Sequence, residues 1–486
     1  MISRGQIYVS VLIRFLLFCG LVLTVGGCGV AIRGIQEGAV VVKNSEVFHQ
    51  GRHGALTSQE KDWAKIAWKY FQNNLSWATG LVNSVDDYPT ATMWHVGDGL
   101  AALVAARELE IIDDIEFDAR LSSLLQFLNT MPLFRGKVPN TAYHTGNGQM
   151  IHHDNTPGET GWSAVDLGRA LVWLRIVREH YPRFSEYIDR VILRWNFCDV
   201  IDSDGALYGA TVEGDKVRKY EAGQSGYEKY IALGFQTWGW TTDRASRGKP
   251  SDSERIFDVE VLRAANDMRE EKGDGKPAPV VTLPYVLDGL EFNWDTVDDS
   301  WSLDSMHTDP VRADLAQRIY TVQERRYAQK KIFTARTDHK MSGAPYFVYD
   351  SIFAGGYAWN TISDEGKHLP GAALVSSRAG FGMWALWKTN YTDELLPLVS
   401  SLFDANKGWL EGRFELTGGY ERTVTATTNA IVLESLLYKV MGKLYKLAAK
   451  DGYYQVILND EFTHPGRCLP LDQTRTSKTD GEAANQ

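Results

Sequence analysis

Residues 408–439 read GWLEGRFELTGGYERTVTATTNAIVLESLLYK, which joins an acidic, aromatic segment to an apolar one. The first half is crowded with glycines, acids and aromatic rings and is too irregular for a helix. In the second half, apolar residues such as Leu433, Leu436 and Leu437 recur at helical spacing. The polar Thr-Thr-Asn before them is typical of a helix N-terminus. The stretch therefore predicts a loop that brings acids to the start of a buried helix.

Helical spacing with loops rich in glycine, aromatic and acidic residues recurs along most of the chain. Thr57 and Glu60 have the spacing of a capping box before an apolar face. Other helices are rich in small residues, such as AALVAA after Gly99 and SRAGFGMWAL from Ser377, and small side chains let helices approach closely. The predicted fold class is all-α, and an (α/α)6 toroid with acidic, aromatic loops at one end would use such helices. An ordinary helical bundle would have the same period.

The overall charge limits the classes of partner. The chain has 486 residues, of which 44% are hydrophobic, and a formal net charge of −10. No basic stripe is present to follow a phosphate backbone, so a nucleic-acid partner is not expected. Sugars remain compatible with this composition.

The N-terminus has the pattern of an export signal. Arg4 and Arg14 come before a short apolar run at residues 15–25. The following Val-Gly-Gly-Cys resembles the bacterial lipobox, which implies cleavage before Cys28 and lipidation of its sulfur. Gly29 then favours the outer membrane, with the protein on the periplasmic face of the cell envelope. An uncleaved anchor or an ordinary signal peptide is the alternative.

Two cysteines remain after this processing, because Cys19 leaves with the signal and Cys28 takes the lipid. Cys198 and Cys468 either pair in an oxidising compartment or stay as buried thiols. The chain has no spaced Cys/His set, so neither a metal site nor a cofactor is predicted. The adjacent histidines of His152-His153-Asp154 seldom face one ion.

The predicted organisation is a single folded body with processed or polar ends. Residues 1–27 are assigned to the signal peptide, 28–54 to a tether, 55–468 to the folded domain and 469–486 to a disordered tail.

Six stretches, in order, carry a resemblance to a known family. They are KVPNTAYHTG, TPGETGWSAVDLGRALVWL, GQSGYEKYIALGFQTWG, PYVLDGLEF, PYFVYDSIF and the opening stretch. Their succession over residues 63–446 resembles a bacterial family of unassigned function, the DUF3131 type, grouped with the six-hairpin glycosidases. The resemblance implies an (α/α)6 barrel with glucoamylase-like and β-1,2-glucanase-like relatives.

The chain departs from the pattern of that family at two positions. Where relatives have Trp-Asp, this chain has Trp94-His95. Where relatives tend to have an acid before Pro-Tyr, it has Leu283. If either acid is catalytic in relatives, the departure puts that role in doubt in this chain.

Cleavage of a glycosidic bond requires two carboxyl groups, one to protonate the leaving oxygen and one to activate water or attack directly. The candidates stand before predicted helices and beside aromatic residues: Asp98, Glu159, Glu228 and Glu411. Glu228 is predicted to be the general acid and Glu411 the base, with Glu421 as the alternative base. Helix capping is the simpler role for Asp98 and Glu159.

Aromatic and polar residues around these acids are predicted to contact a sugar. They are Trp94, Tyr143, Trp162, Tyr227, Trp409, Tyr420, Arg422 and Asn429. For any single aromatic residue, a place in the core is the competing interpretation. Asp166 is three residues from Arg169 on a predicted helix, which favours a structural ion pair.

The first functional hypothesis is a lipid-anchored glycoside hydrolase, with an inverting mechanism and a glucan or exopolysaccharide substrate. The second is a non-catalytic glycan-binding component of a polysaccharide synthesis or secretion system. The third is a polysaccharide lyase, in which Tyr143 or His144 would act as the base. The sequence makes no prediction about the oligomeric state.

Overall fold

Twelve α-helices form the frame of the described part of this computed structural model. That part comprises residues 51–223, 226–248, 251–264, 278–299, 307–446 and 467–470. The helices are α1 (Ser58–Asn74), α2 (Met93–Glu108), α3 (Asp114–Thr130), α4 (Ala164–His180), α5 (Ser185–Arg194), α6 (Tyr227–Gln236), α7 (Asp243–Arg247), α8 (Leu283–Phe292), α9 (Pro310–Lys330), α10 (Ser377–Leu386), α11 (Asn390–Val399) and α12 (Ala426–Met441). All described residues belong to the compact unit His49–Gln486.

The even-numbered helices form a closed ring. α2 packs on α4, α4 on α6, α6 on α8, α8 on α10, α10 on α12, and α12 returns to α2. The odd-numbered helices lie outside this ring, each against an even-numbered one, and α1 contacts both α12 and α2. The chain is therefore an (α/α)6 toroid, which confirms the predicted fold class.

The inner and outer helices differ in burial as this architecture requires. Every residue of the inner helix α10 is buried, whereas the outer helix α1 buries one face that includes Trp63, Ala67 and Phe71. α1 also begins with the predicted capping box, since Thr57 accepts from the Glu60 N–H and Glu60 accepts from the Thr57 N–H.

Glycines bring neighbouring inner helices into close contact. A Cβ on Gly234 of α6 would collide with the carbonyl oxygen of Gly168 on α4. A Cβ on Gly382 of α10 would collide with the side chain of Val286 on α8. Close packing through small residues, predicted from the stretch that begins at Ser377, is thus present in the ring.

Short antiparallel strands occupy the loops between the helices. They are β1 (Thr90–Ala91), β2 (Ala142–His144), β3 (Met150–Ile151), β4 (Gly161–Trp162), β5 (Tyr208–Glu213), β6 (Lys216–Glu221), β7 (Ser251–Ile256), β8 (Val259–Ala264), β9 (His339–Lys340), β10 (Phe347–Asp350), β11 (Phe353–Ala354), β12 (Tyr357–Ala358), β13 (Thr361–Ile362), β14 (Leu374–Ser376), β15 (Phe403–Asp404), β16 (Gly408–Phe414) and β17 (Tyr420–Val424). The segment before α12, expected as an irregular loop, is instead the hairpin β16–β17, with Gly412 opposite Glu421.

A disulfide joins Cys198 to Cys468, whose Cα atoms are 4.9 Å apart, so the pairing left open by the sequence is formed. Backbone contacts support it, because the Phe197 N–H donates to the Arg467 carbonyl at 2.9 Å. At the other end of the described chain, Arg52 is buried and its backbone N–H donates to Ala385 O.

The predicted signal peptide with Cys28 lies outside the described residues, as do residues 471–486 of the predicted tail. Within the described ranges, no helix has the length and apolar character that crossing a membrane would need. The same ranges hold no group of three or more His, Cys, Asp or Glu residues placed to bind a metal ion.

Candidate functional site

The N-terminal ends of all six inner helices meet at one cavity of about 390 Å³. The residues that line it from these ends are Trp94 and His95 of α2, Val165 and Asp166 of α4, Tyr227 of α6, Leu283 of α8, Arg378 of α10 and Thr427 of α12. The cavity has the size of a small-molecule site. The ring thus directs residues from every hairpin to a single space.

Aromatic side chains form much of the cavity wall. The lining includes Trp94, Tyr220, Tyr227, Phe347 and Tyr349. The rings of Trp94 and Tyr227 are 5.9 Å apart in an edge-to-face arrangement. A larger cavity of about 600 Å³ lies near α6, α7 and α9, and among the described residues that line it Trp240 alone is aromatic. The smaller cavity is therefore the better candidate for a sugar.

Two carboxylic acids line the same cavity. Asp166 lies in the first turn of α4, where burial raises its pKa to about 6 against the hydrogen bonds of Thr92 and Ser163. Asp338 comes just before β9 and accepts hydrogen bonds from the Tyr227 hydroxyl at 3.0 Å and the Thr337 hydroxyl at 2.8 Å. The cavity therefore combines an acid that retains a proton in weakly acidic solution with a fixed carboxylate.

Two cationic side chains, Lys340 and Arg378, are also present. Arg378 is 4% exposed and donates from Nη2 to the Asp338 carbonyl and to Glu411 Oε2, the latter at 3.3 Å. Lys340 lies on β9 with Nζ 5.2 Å from the centre of the Phe347 ring, and burial lowers its pKa. Both signs of charge thus face the cavity.

Glu411 is fully buried and contacts the cavity lining without lining it. Oε1 accepts from the hydroxyls of Thr425 at 2.6 Å and Thr428 at 2.5 Å, while Oε2 accepts from the Lys340 N–H at 3.1 Å. Burial alone would raise the pKa of Glu411, but Arg378 and the two hydroxyls outweigh it and lower that pKa. Glu411 is therefore an ionised group that holds cavity residues in place.

His95 is a neutral side chain in the cavity wall. Its Nδ1 accepts from the Thr92 N–H at 3.1 Å, so the ring proton of the neutral form is on Nε2. Burial, together with Lys340 and His153, lowers the pKa of His95 to about 3. The side chain can donate a hydrogen bond but does not act as an acid at neutral pH.

A buried ionic cluster lies at the centre of the ring. The guanidinium of Arg169 binds the carboxylates of Asp98, Glu291 and Glu434, all of them inaccessible to solvent. Asp98 also accepts from the Thr427 hydroxyl at 2.7 Å, which connects the cluster to the cavity wall. Burial raises the pKa of Glu434 to about 8, although Arg169 opposes this. Asp166 does not pair with Arg169, which corrects that prediction.

The acids predicted from sequence are distributed over different environments. Asp98 and Glu411 contact lining residues, as described above. Glu228 is 8% exposed and accepts from the Gly226 N–H at 3.2 Å, and it does not line the cavity. Glu159 is exposed and accepts from the Arg135 N–H at 3.0 Å. These two acids are not brought together with the cavity residues.

Glu421, the alternative base, fixes a loop. Its carboxylate accepts from the Ser342 N–H at 3.1 Å and from the Thr423 hydroxyl at 2.7 Å. Tyr420 and Arg422, on either side of it, are exposed and do not line the cavity.

Among the predicted sugar contacts, Trp94 and Tyr227 line the cavity. Trp409 is fully buried, with its indole N–H donating to the Trp63 carbonyl at 3.2 Å. Asn429 is also buried, and its side-chain oxygen accepts a hydrogen bond from the Trp409 N–H at 2.8 Å. These contacts join the hairpin β16–β17 to α1 and to α12.

Trp162 and the predicted lyase residues lie elsewhere. Trp162 is buried, and its indole N–H donates to Tyr208 O at 2.8 Å. Tyr143 is buried with its hydroxyl donating to Pro132 O at 2.8 Å, and His144 accepts from the Gly146 N–H at 3.1 Å. None of these three lines the cavity.

Sequence reasoning missed Asp338 and Lys340 and assigned Asp166 another role. Asp166 follows the cap residue Ser163 at the start of an inner helix, and this position was a usable signal. Asp338 and Lys340 lie on a loop between α9 and α10 that only the closed ring brings over the cavity.

The closed ring, with its acidic and aromatic cavity at the helix N-termini, defines a six-hairpin (α/α)6 toroid. The chain belongs to the family described as Protein of unknown function (DUF3131), which matches residues 62–442. No curated protein matches the chain.

Solved structures share the fold at low sequence identity. An endo-β-1,2-glucanase from Chitinophaga pinensis, in complex with sophorotriose and glucose, is 14% identical with a TM-score of 0.57, covering 86% of this chain and 98% of its own. A provisionally assigned glucoamylase from Bacteroides caccae is also 14% identical with a TM-score of 0.57, covering 85% and 97%. A β-1,2-glucanase from Parabacteroides distasonis is 12% identical with a TM-score of 0.53, covering 87% and 60%.

Proposed function

We propose that the protein is a glycoside hydrolase that cleaves a polysaccharide in the cavity at the helix N-termini. The observation that carries this proposal is the presence of two carboxylic acids, Asp166 and Asp338, in one aromatic-walled cavity. Two carboxyl groups are the minimum that the common routes of glycosidic hydrolysis require. Aromatic walls suit the apolar faces of sugar rings.

In this proposal Asp166 is the general acid. It donates its proton to the glycosidic oxygen as the bond between that oxygen and the anomeric carbon breaks. The raised pKa of about 6 keeps the proton on Asp166 in weakly acidic solution. This reassigns the role that the sequence suggested for Glu228.

Asp338 is the general base. It takes a proton from a water molecule whose oxygen bonds to the anomeric carbon, so the products are two free sugar ends and the configuration is inverted. Hydrogen bonds from Tyr227 and Thr337 hold the carboxylate of Asp338 in position. Glu411, the base suggested by the sequence, acts indirectly by holding Arg378 and the backbone of Lys340.

A polysaccharide substrate is supported by the fold of the structurally similar proteins. One of them is an endo-β-1,2-glucanase in complex with a glucose oligomer. We propose a bacterial glucan or exopolysaccharide as the substrate.

The test is release of reducing ends from a panel of bacterial polysaccharides by the wild type, Asp166→Asn and Asp338→Asn. We expect each substitution to reduce kcat about 10²–10⁴-fold, the usual contribution of a general acid or base. Asp118→Asn is the matched control, because Asp118 is an exposed residue of α3 that pairs with Arg183. Full activity in both cavity variants would rule out these roles.

A second candidate function, a non-catalytic glycan-binding component of polysaccharide synthesis or secretion, is favoured by one observation. His95 and Leu283, the two departures from the family pattern, both line the cavity. Binding of a polysaccharide without any release of reducing ends, under conditions in which the protein is folded, would favour this function over hydrolysis.

We also propose that the protein is lipid-anchored through Cys28 in the bacterial envelope, with the outer membrane favoured. The Cys198–Cys468 disulfide supports an oxidising compartment such as the periplasm. Mass spectrometry of the mature N-terminus tests the anchor, which Cys28→Ser should abolish. A wild-type protein that starts before Cys28 and carries no lipid would refute it.

A further inference from the structure

We propose that the sugar unit bound in this cavity carries a carboxylate, which pairs with Lys340, so that the substrate is an acidic, uronate-containing polysaccharide. This inference rests on the proposed function in one respect, that the cavity binds a glycan. It adds a charge that neither the fold nor the family description provides.

The first support is the position of the Lys340 ammonium group. Lys340 lines the cavity, yet its Nζ forms no ion pair or hydrogen bond with any residue in the described ranges. The acids that act on it from a distance are Glu411, Asp364 and Asp338. A partly buried ammonium group without a local partner is costly, and an anionic ligand group would satisfy it.

The second support is that two of the three acids that act on Lys340, Glu411 and Asp338, already accept hydrogen bonds from other groups. Glu411 accepts hydrogen bonds from Arg378, Thr425 and Thr428. Oδ1 of Asp338 accepts from the hydroxyls of both Tyr227 and Thr337. A movement of the Glu411 side chain towards the Lys340 ammonium would therefore break existing hydrogen bonds.

The third support is the electrostatic character of the cavity. The N-termini of six inner helices surround it, and each contributes a partial positive charge that favours an anion. Arg378 adds a guanidinium group whose charge is partly balanced by Glu411, and its buried Nε–H has no hydrogen-bond partner among the described residues. The cavity therefore attracts a carboxylate, because the helix N-termini, Lys340 and Arg378 all face it.

The face of Phe347 gives the ammonium group a defined place. Nζ of Lys340 lies 5.2 Å from the centre of that ring, while β9 and β10 pair Lys340 with Phe347 in register. A sugar ring stacked on the aromatic wall would bring a C6 carboxylate into reach of the ammonium, whereas a C6 hydroxyl would gain only a neutral hydrogen bond.

Binding of simple sugars to the purified protein tests the inference. The probes are D-glucuronate with D-glucose and D-galacturonate with D-galactose, measured by ligand-observed NMR at about 50 mM salt to limit screening. We expect at least one uronate to bind about 10-fold more tightly than its parent sugar, the effect of one charge-assisted hydrogen bond. Equal Kd values for uronate and parent, or no binding of either, would overturn the inference without need of a variant.

Variants locate the effect at Lys340. Lys340→Met should reduce the preference to less than about 2-fold, while Lys340→Arg should retain most of it. Lys65→Met is the matched control, since it removes one exposed lysine of α1 and changes the net charge equally. A uronate preference that persists in folded Lys340→Met would also overturn the inference.

Failure of this inference can be distinguished from failure of the proposed function. Asp166-dependent hydrolysis of a neutral glucan, with no uronate preference, would overturn the acidic substrate and leave the hydrolase in place. A Lys340-dependent uronate preference, with no reducing ends released from any polysaccharide, would support the acidic ligand and overturn hydrolysis.

Discussion

Glu411 Oε2 lies 3.3 Å from Arg378 Nη2, and this contact joins the hairpin β16–β17 to the first turn of α10. Both side chains are buried, but only Arg378 lines the cavity. The acid that seemed catalytic from its neighbours in sequence is thus the counter-charge of a cavity residue. Its removal should affect stability at least as strongly as it affects catalysis.

The substitution Glu411→Gln should lower the free energy of unfolding by about 3–5 kcal/mol, because it leaves the Arg378 guanidinium buried without its counter-charge. Urea denaturation at neutral pH measures this change. Glu186→Gln is the control, since Glu186 forms an exposed pair with Arg190 and should change stability by less than about 0.5 kcal/mol. A cost as small as the control's would contradict the structural role of Glu411.

The lowered pKa of Glu411 predicts a dependence of stability on pH. The folded state holds this carboxylate ionised at pH values where the unfolded state takes up a proton, so its contribution is full above the ordinary value of 4.5. That contribution is lost as the pH falls below 4.5. The melting temperature of the wild type should therefore fall more steeply with decreasing pH than that of Glu411→Gln. Parallel curves for the two proteins would count against it.

The raised pKa of Glu434 predicts that stability changes with pH in the opposite direction. Its folded pKa of about 8 exceeds the ordinary value of 4.5, so the folded state keeps a proton that the unfolded state releases. Oε2 of Glu434 has no hydrogen-bond partner among the described residues. Between pH 4.5 and about 8, the contribution of Glu434 to the free energy of unfolding therefore falls as the pH rises, by up to about 1.4 kcal/mol per pH unit.

Glu434→Gln keeps the neutral shape and removes this titration. Its midpoint of urea unfolding, followed between weakly acidic and weakly alkaline pH, should decline less than that of the wild type. Glu186→Gln again serves as the control and should follow the wild type. An unchanged slope in Glu434→Gln would show that Glu434 is ionised in the folded protein.

The raised pKa of Asp166 predicts how the activity declines as the pH rises. If it donates the proton, kcat/KM should decline as the pH rises above about 6, where the pKa of Asp166 lies. Asp166→Asn should lose this inflection together with most of the activity. Initial rates across the pH range, on whichever polysaccharide is cleaved, provide the measurement. An alkaline limb unchanged in Asp166→Asn would assign the proton donor to another group.

Reduction of the Cys198–Cys468 disulfide should destabilise the protein by about 2–5 kcal/mol, the usual range for a native bridge. Thermal unfolding with and without dithiothreitol measures the difference. Cys198→Ser should unfold at the lower temperature in both conditions and should not respond to the reductant. A wild-type protein indifferent to dithiothreitol, with its thiols shown to be reduced, would contradict the expectation.

The helices were predictable because their signals are local. The capping box at Thr57 and the small residues from Ser377 each specify an element within a few residues of themselves. The family resemblance then supplied the ring, which no single period encodes.

The cavity residues were harder to predict, because they depend on which face of an element points inwards. Trp409 and Glu411 are two residues apart on the strand β16, so their side chains share one face, and that face is buried. The sequence predicts a loop here, in which both side chains would be available to a ligand. Asp338 carried no local signal at all, since its position depends on the path of the loop between α9 and α10.

The hydrogen bond from Thr427 to Asp98 spans 329 residues of chain, and it joins the last inner helix to the first. A chain that lacked α12 would leave the acid of α2 without this hydroxyl and Arg169 without Glu434. Such long-range pairing gives a high contact order, which slows folding and leaves little that is native-like in a partial chain. The buried carboxyl group of Asp98 on α2 therefore lacks one of its hydrogen-bond partners until α12 has packed against α2.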